Sequence, residues 1–219
     1  MSASETALNR TASSFEPRLI VRSTGEPAPQ TMNYTRLMSI QIGAKVADFS
    51  KPMVLLSDCH RRIEMFLGVL HGIAQMENRL LTKDEQGSLE KALHYFHEAA
   101  PKHTADEEQS LFPRLRHSSR TEVQSALREL ERLETDHERA TPMHAEVELL
   151  GQCWLADGHL TSEQRCRFRE LVAHLTSMYR THIEFEDTVL FPLATQVLSK
   201  AEQSEIAHEM SERRTAKVF

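Results

Sequence analysis

Glycine is scarce in this chain, at 7 of 219 residues, and aromatic side chains make up only 6%. Strands favour aromatic residues and tight hairpins favour glycine, so this composition argues against a sheet-rich fold. Cysteine is scarcer still: Cys59, Cys153 and Cys166, an odd number with no CxxC pair. That excludes a disulfide framework and a zinc ribbon. The three read as small buried hydrophobes in a reducing compartment. No apolar run approaches the roughly 18–20 residues that cross a bilayer. The N-terminus has no apolar signal-peptide core, so a cytoplasmic location and no membrane partner are expected. The formal charge is −6 with acids and bases interspersed, and no basic stripe offers itself to nucleic acid. No phosphate-cradling loop, no nucleophile motif and no sign of a substrate pocket is visible.

What is present is histidine, 12 in all, concentrated beyond residue 58, together with Leu, Ala, Glu and Arg in helical periodicity. Residues 1–52 read mostly as a disordered leader, rich in Ser, Thr and Pro over 1–35. Glu5, Glu16 and Glu26 argue against a transit peptide. Met38 is an alternative start, and "SIQIG" at 39–43 reads as a short strand. From residue 53 the fold class is all-α. A first helix carries Leu56, His60, Ile63, Leu67 and Leu70 on one face and fades near Asn78. A second opens at Thr82, where Glu85 completes a capping box, and Pro101 should kink it. A third opens near Ser119 and Glu122, another possible box, with a kink expected at Pro142. A fourth opens at Thr161 with Gln164. Residues 53–198 thus read as an antiparallel up-down-up-down four-helix bundle, and 199–219 as a short, mostly polar helix and tail.

One sentence is written twice: "HTADEEQSLFP" from His103 and "HIEFEDTVLFP" from His182. Thr82 precedes His103 by the interval that separates Thr161 from His182, and "CH" at 59–60 corresponds to "DH" at 136–137. The chain therefore reads as two copies of one helical hairpin. Residues four apart lie on one helix face, so His103 with Glu107, and His182 with Glu186, can each reach a common point. His60 and His137 sit on apolar stripes, where a polar ring needs a reason. Counting from the loops at 1.5 Å per residue, the four histidines fall at one height to within roughly 3–5 Å. His60, His103, Glu107, His137, His182 and Glu186 are the expected metal ligands. Four imidazoles and two carboxylates suit a pair of divalent first-row metals, with each glutamate bridging; two Fe(II) ions fit such ligands. A closed zinc site needs only four ligands.

"LSDCHRRIEMFL", "HTADEEQSLFP", "DHERATPMH" and "HIEFEDTVLFP" resemble the hemerythrin-like HHE cation-binding family over about residues 53–195. The resemblance implies a four-helix bundle with an oxo- or hydroxo-bridged non-haem di-iron centre. It implies dioxygen, peroxide or nitric oxide as the small-molecule partner, or a role in sensing iron and oxygen. Oxygen carriers of the family have His-x3-His on the third helix. Here Thr141 follows His137 by four, so reversible oxygen storage is not expected. The carriers' last carboxylate lies five residues after its histidine, a spacing that Asp187 offers. The internal repeat instead aligns Glu186 with Glu107, and on a straight helix Asp187 points about 100° further round. The ligand order is also similar to that of bacterial di-iron proteins that repair iron–sulfur centres. Those carry an N-terminal cysteine-containing domain, and no cysteine precedes Cys59 here.

The remaining candidates read as supporting or structural groups. His144 reads as a packed or supporting neighbour of the site, Tyr179 as core that could also ligate a metal or donate a proton, Glu64 as a helix-surface or supporting carboxylate with ligation as the lesser alternative, and Met143 and Met178 as core. His94, His97, His117, His159, His174 and His208 read as surface residues, and Glu108 as half solvated. The competing functional readings are a non-catalytic iron or oxygen sensor, and a helical interaction domain whose histidines are coincidental.

Overall fold

The computed structural model describes residues 50–77 and 79–215. The leader through residue 49, with "SIQIG" and Met38, and Asn78 lie outside the described residues. All regular structure among the described residues is helical. In chain order the helices are α1 (Pro52–Ala74), α2 (Lys83–Glu98), α3 (Ala100–Asp106), α4 (Phe112–His117), α5 (Thr121–Asp157), α6 (Ser162–Phe185), α7 (Phe191–Val197) and α8 (Lys200–Thr215). Glu107–Leu111 and Glu186–Leu190, between α3 and α4 and between α6 and α7, are single π-helical turns.

The helix starts follow local chemistry. Thr82 accepts from the Glu85 N–H and the Glu85 carboxylate accepts from the Thr82 N–H; Thr161 and Gln164 repeat the device at α6. Such caps contribute about 1 kcal/mol each. The expected box at Ser119 does not form. Helix α5 begins at Thr121 behind Arg120, which places Glu122 one position too early to reach back. Ser199 and Glu202 form a reciprocal cap for α8 instead. At the far end of α5, Gly158 takes a left-handed φ of 74° and closes the turn into α6.

Proline shapes the two ligand-bearing segments. The kink expected at Pro101 is a break at Ala99, one residue long, between α2 and α3. Helix α5, in contrast, continues through Pro142. Pro113 and Pro192 lack the N–H that would continue an α-helical ladder, and their rings crowd the carbonyl four residues back. Both chain segments widen just before the proline, so that Phe112 N–H reaches Glu107 O and Phe191 N–H reaches Glu186 O. Each wide turn therefore begins at a candidate glutamate ligand. Wide turns of this kind are often found at functional sites.

Helix α1 packs on α2 and α6, and α5 packs on the same two. The buried side chains form two apolar clusters. One gathers Ile63, Leu67, Leu89, Leu93, Val147, Leu171 and Leu175; the other gathers Leu56, Leu111, Phe112, Leu115, Leu130, Leu133, Leu190 and Phe191. Burying each such side chain stabilises the fold by roughly 1.5–3 kcal/mol before chain entropy is charged. Every ligand-bearing segment passes from one cluster to the other at its histidine or glutamate: α1 at His60, α3 at His103–Glu107, α5 at His137, and α6 at His182–Glu186. Helix α8 adds Ile206 and Met210 to the second cluster.

The cysteines depart from expectation. Cys59 and Cys153 are half-buried and Cys166 is exposed.

Candidate metal centre

All six expected ligands are buried, and they meet in the polar layer between the two clusters. Glu107 is central. Its Oε1 lies 3.2 Å from His103 Nε2 and 3.8 Å from His60 Nε2, while its Oε2 lies 3.5 Å from His137 Nε2. His60–His103–Glu107 and Glu107–His137–His182 are two overlapping triads, each with its ligand atoms within 4.8 Å of one another. Glu186 belongs to neither triad, yet its Oε2 lies 3.2 Å from His60 Nε2 and 3.1 Å from His182 Nε2, one residue from each. Within the second triad, His137 Nε2 and His182 Nε2 are 3.1 Å apart.

The electrostatics are those of charge packed without water. Both oxygens of Glu107 and of Glu186 are buried with no hydrogen-bond donor, as is His60 Nε2. Burial and the facing Glu186 push the Glu107 carboxyl well above the usual range. Burial acts on Glu186 in the same sense, but His182 and His60 hold it below that range. At His60 burial disfavours the imidazolium, and Asp187, Glu107 and Glu186 outweigh it, raising the ring to about 11. At His103 burial and the neighbouring rings push the other way. Uncompensated carboxylates and convergent ring nitrogens are costly in this environment, and a cation bound among them would neutralise the cost. The residues present therefore fit a bound metal cation.

Two of the four rings are held from behind by a carboxylate, and a third faces one without a hydrogen bond. His60 Nδ1 meets Asp187 at 2.9 Å, His137 Nδ1 meets Glu108 at 2.8 Å, and His182 Nδ1 lies 3.5 Å from Asp136. Asp187 is itself gripped by Ser57 and both terminal nitrogens of Arg61, and Asp136 by Arg132. A carboxylate behind a histidine fixes the tautomer that presents Nε2 to a metal. Sequence reasoning missed these three. It set Asp187 aside and read Glu108 as half solvated without a role, although each acid stands next to a candidate ligand in the chain. Glu64 is exposed and pairs with Arg61. Thr141 turns its hydroxyl onto the His137 carbonyl.

Beyond the layer, His144 Nε2 lies 3.1 Å from the Tyr179 hydroxyl, and its ring stacks on Phe96. A cavity of about 300 Å³ opens beside them and reaches His137. It was not foreseen in the sequence.

The chain matches the model of the hemerythrin HHE cation binding domain over residues 52–194. It belongs to that family. It is also similar to a protein of Haemophilus influenzae described as uncharacterized, with 29% identity over 183 residues, which is 82% of this chain and 99% of the relative. Family and geometry together make it a candidate iron-binding protein whose His/Glu clusters could hold a metal. Among the described residues, no helix is long and apolar enough to cross a membrane.

Proposed function

We propose that residues 53–198 form an antiparallel up-down-up-down four-helix bundle that holds two iron ions and binds or reacts with a small oxidant: dioxygen, peroxide or nitric oxide. The alternating order in which the segments run between the two apolar clusters supports the antiparallel arrangement. The observation that carries the metal pair is Glu107, whose two oxygens face different histidine pairs. Such a carboxylate would hold two ions at once, and Glu186 lies between His60 and His182 from the other side. His60, His103 and Glu107 would hold one ion, and His137, His182 and Glu107 the other, with Glu186 shared. N/O ligands of this kind suit iron, which would supply the redox chemistry when bound.

The chain's own residues then do two things. Asp187 and Glu108 orient two of the imidazoles, Asp136 faces a third, and the apolar clusters above and below limit water. With Thr141 in place of a histidine, fewer protein ligands are available than in an oxygen carrier, which leaves coordination positions for an exogenous ligand. The test is the near-ultraviolet and visible absorbance of iron-loaded protein before and after each of the three oxidants. A change with at least one is expected; no response to any of them contradicts the reading.

One observation favours a sensing role in addition. Asp106, next to Glu107, is fully buried and ion-paired with Arg213 and Arg214 of α8, at 2.8 and 2.6 Å. Iron occupancy would then bear on how α8 is held. Identical proteolysis patterns for apo and iron-loaded protein would count against this second reading.

A further inference from the structure

We propose that the cavity beside His137 is a binding site for a small uncharged organic molecule bearing a hydrogen-bond acceptor, held by the His144–Tyr179 pair. The inference deepens the metal-centre reading, because the inner end of the cavity is the outer side of His137.

Size comes first. The cavity measures about 300 Å³. A water's share of liquid is about 30 Å³, so a diatomic oxidant or hydrogen peroxide fills only a small part of it. Sites for organic ligands begin at about 300 Å³.

The lining sets the ligand's polarity. Leu93, Phe96, Ala140 and Val147 are buried and apolar. Among the described residues no lysine or arginine lines the cavity, and its His97 is already paired with Glu148, so a phosphate or carboxylate would enter without a free countercharge. Glu148, the acid among the described lining residues, is engaged by His97 at 3.0 Å near the rim. An uncharged, largely apolar molecule fits these walls.

The His144–Tyr179 pair provides the polar grip. Burial alone holds His144 down, to about 4, so the ring is neutral, and burial raises the Tyr179 phenol out of reach of neutral pH. A neutral imidazole has one N–H. If the phenol donates to Nε2, the proton is on Nδ1, which has no partner of its own. If Nε2 donates to the phenol oxygen, the phenol hydrogen is unused. Either tautomer leaves one donor over, and buried donors are seldom left unpaired. An acceptor oxygen on the ligand would take it. Phe96 fixes the ring orientation by stacking at 4.5 Å between centroids.

Access comes from the side. Pro101, Thr141 and Ala145 of the lining are exposed, whereas Leu93, Ala140 and Tyr179 are buried. Thr141 and Ala145 are one helical turn apart on α5 and are small, which keeps the mouth open.

The test uses cyclohexanone, a compact ketone with a single acceptor, followed by ligand-observed saturation-transfer NMR on the full chain as purified, with iron content measured on each sample. Saturable binding is expected. Ala145→Phe, at an exposed helical position, should weaken it at least tenfold while leaving iron content and helicity unchanged. Tyr179→Phe should weaken it roughly fivefold, and cyclohexanecarboxylate should fail to displace the ketone. Absence of binding to the wild type, unchanged binding in Ala145→Phe or in Tyr179→Phe, or displacement by the carboxylate would overturn the proposal. A protein that binds cyclohexanone yet takes up no iron after anaerobic Fe(II) loading would leave the pocket standing and sink the metal-centre reading alone.

Discussion

The Nδ1 of His60 lies 2.9 Å from an oxygen of Asp187, on the side of the ring away from Glu107 and Glu186. Asp187 is not one of the two triads; it aims one of their members. Ser57 and Arg61 in turn hold Asp187, so the ring of a buried histidine is tied through one carboxylate to the surface of α1.

From this follows the first prediction. Asp187→Ala should lower iron affinity about 10- to 100-fold, the usual cost of removing a carboxylate behind a metal-bound histidine, without lowering the number of ions bound at saturation. Competition with a coloured chelator measures it. An affinity equal to the wild type's would show that the contact is incidental.

The pair Arg213 and Arg214 makes a stability prediction. Together they neutralise Asp106, which has no exposed surface, and Arg213 also donates to Ser110 in the first wide turn. Removing the partners of a buried charge costs about 3–5 kcal/mol. Replacing both arginines with Ala should therefore destabilise the chain by about 3 kcal/mol in urea unfolding, and adding Asp106→Asn should restore part of it. Additive losses in the triple variant would contradict the ion-pair account.

His144 gives a pH dependence with a definite sign. Its folded value of about 4 lies below its ordinary 6.5, so between these values the unfolded chain takes up a proton that the folded chain refuses. Above about pH 6.5 the group contributes no penalty; as pH falls toward 4 stability is lost, by roughly 2 kcal/mol at pH 5 and of order 3 kcal/mol in full. Urea unfolding of wild type and His144→Leu, both with chelator, at pH 7.5 and 5.0 isolates this. The difference in stability between them should move in the variant's favour by roughly 2 kcal/mol at the lower pH. A difference that does not change with pH would show that His144 is not held neutral.

Much of the candidate site was legible because its residues repeat. His103 with Glu107, and His182 with Glu186, share a helical face by spacing alone, and counting from the loops brought them level with His60 and His137. The carboxylates behind the rings were not legible, for a geometric reason. On a straight α-helix Asp187 faces away from Glu186's direction, and the two wide turns at Glu107 and Glu186 interrupt that geometry. Pro113 and Pro192 were visible, but proline alone does not say whether a helix breaks, widens or continues. Pro101 sits past a break, Pro113 and Pro192 follow wide turns, and Pro142 interrupts nothing in α5. The cavity beside His137 was hidden for another reason: it is a space between α2, α3, α5 and α6, and no one helix's pattern records it.

The most direct measurement is iron per chain by elemental analysis after anaerobic Fe(II) loading and removal of excess metal, on wild type and Glu107→Ala. The account predicts about two irons per wild-type chain and at most one in the variant, since Glu107 is the residue that the two triads share. A wild type that binds no iron, or a Glu107→Ala variant that still binds two, would contradict it.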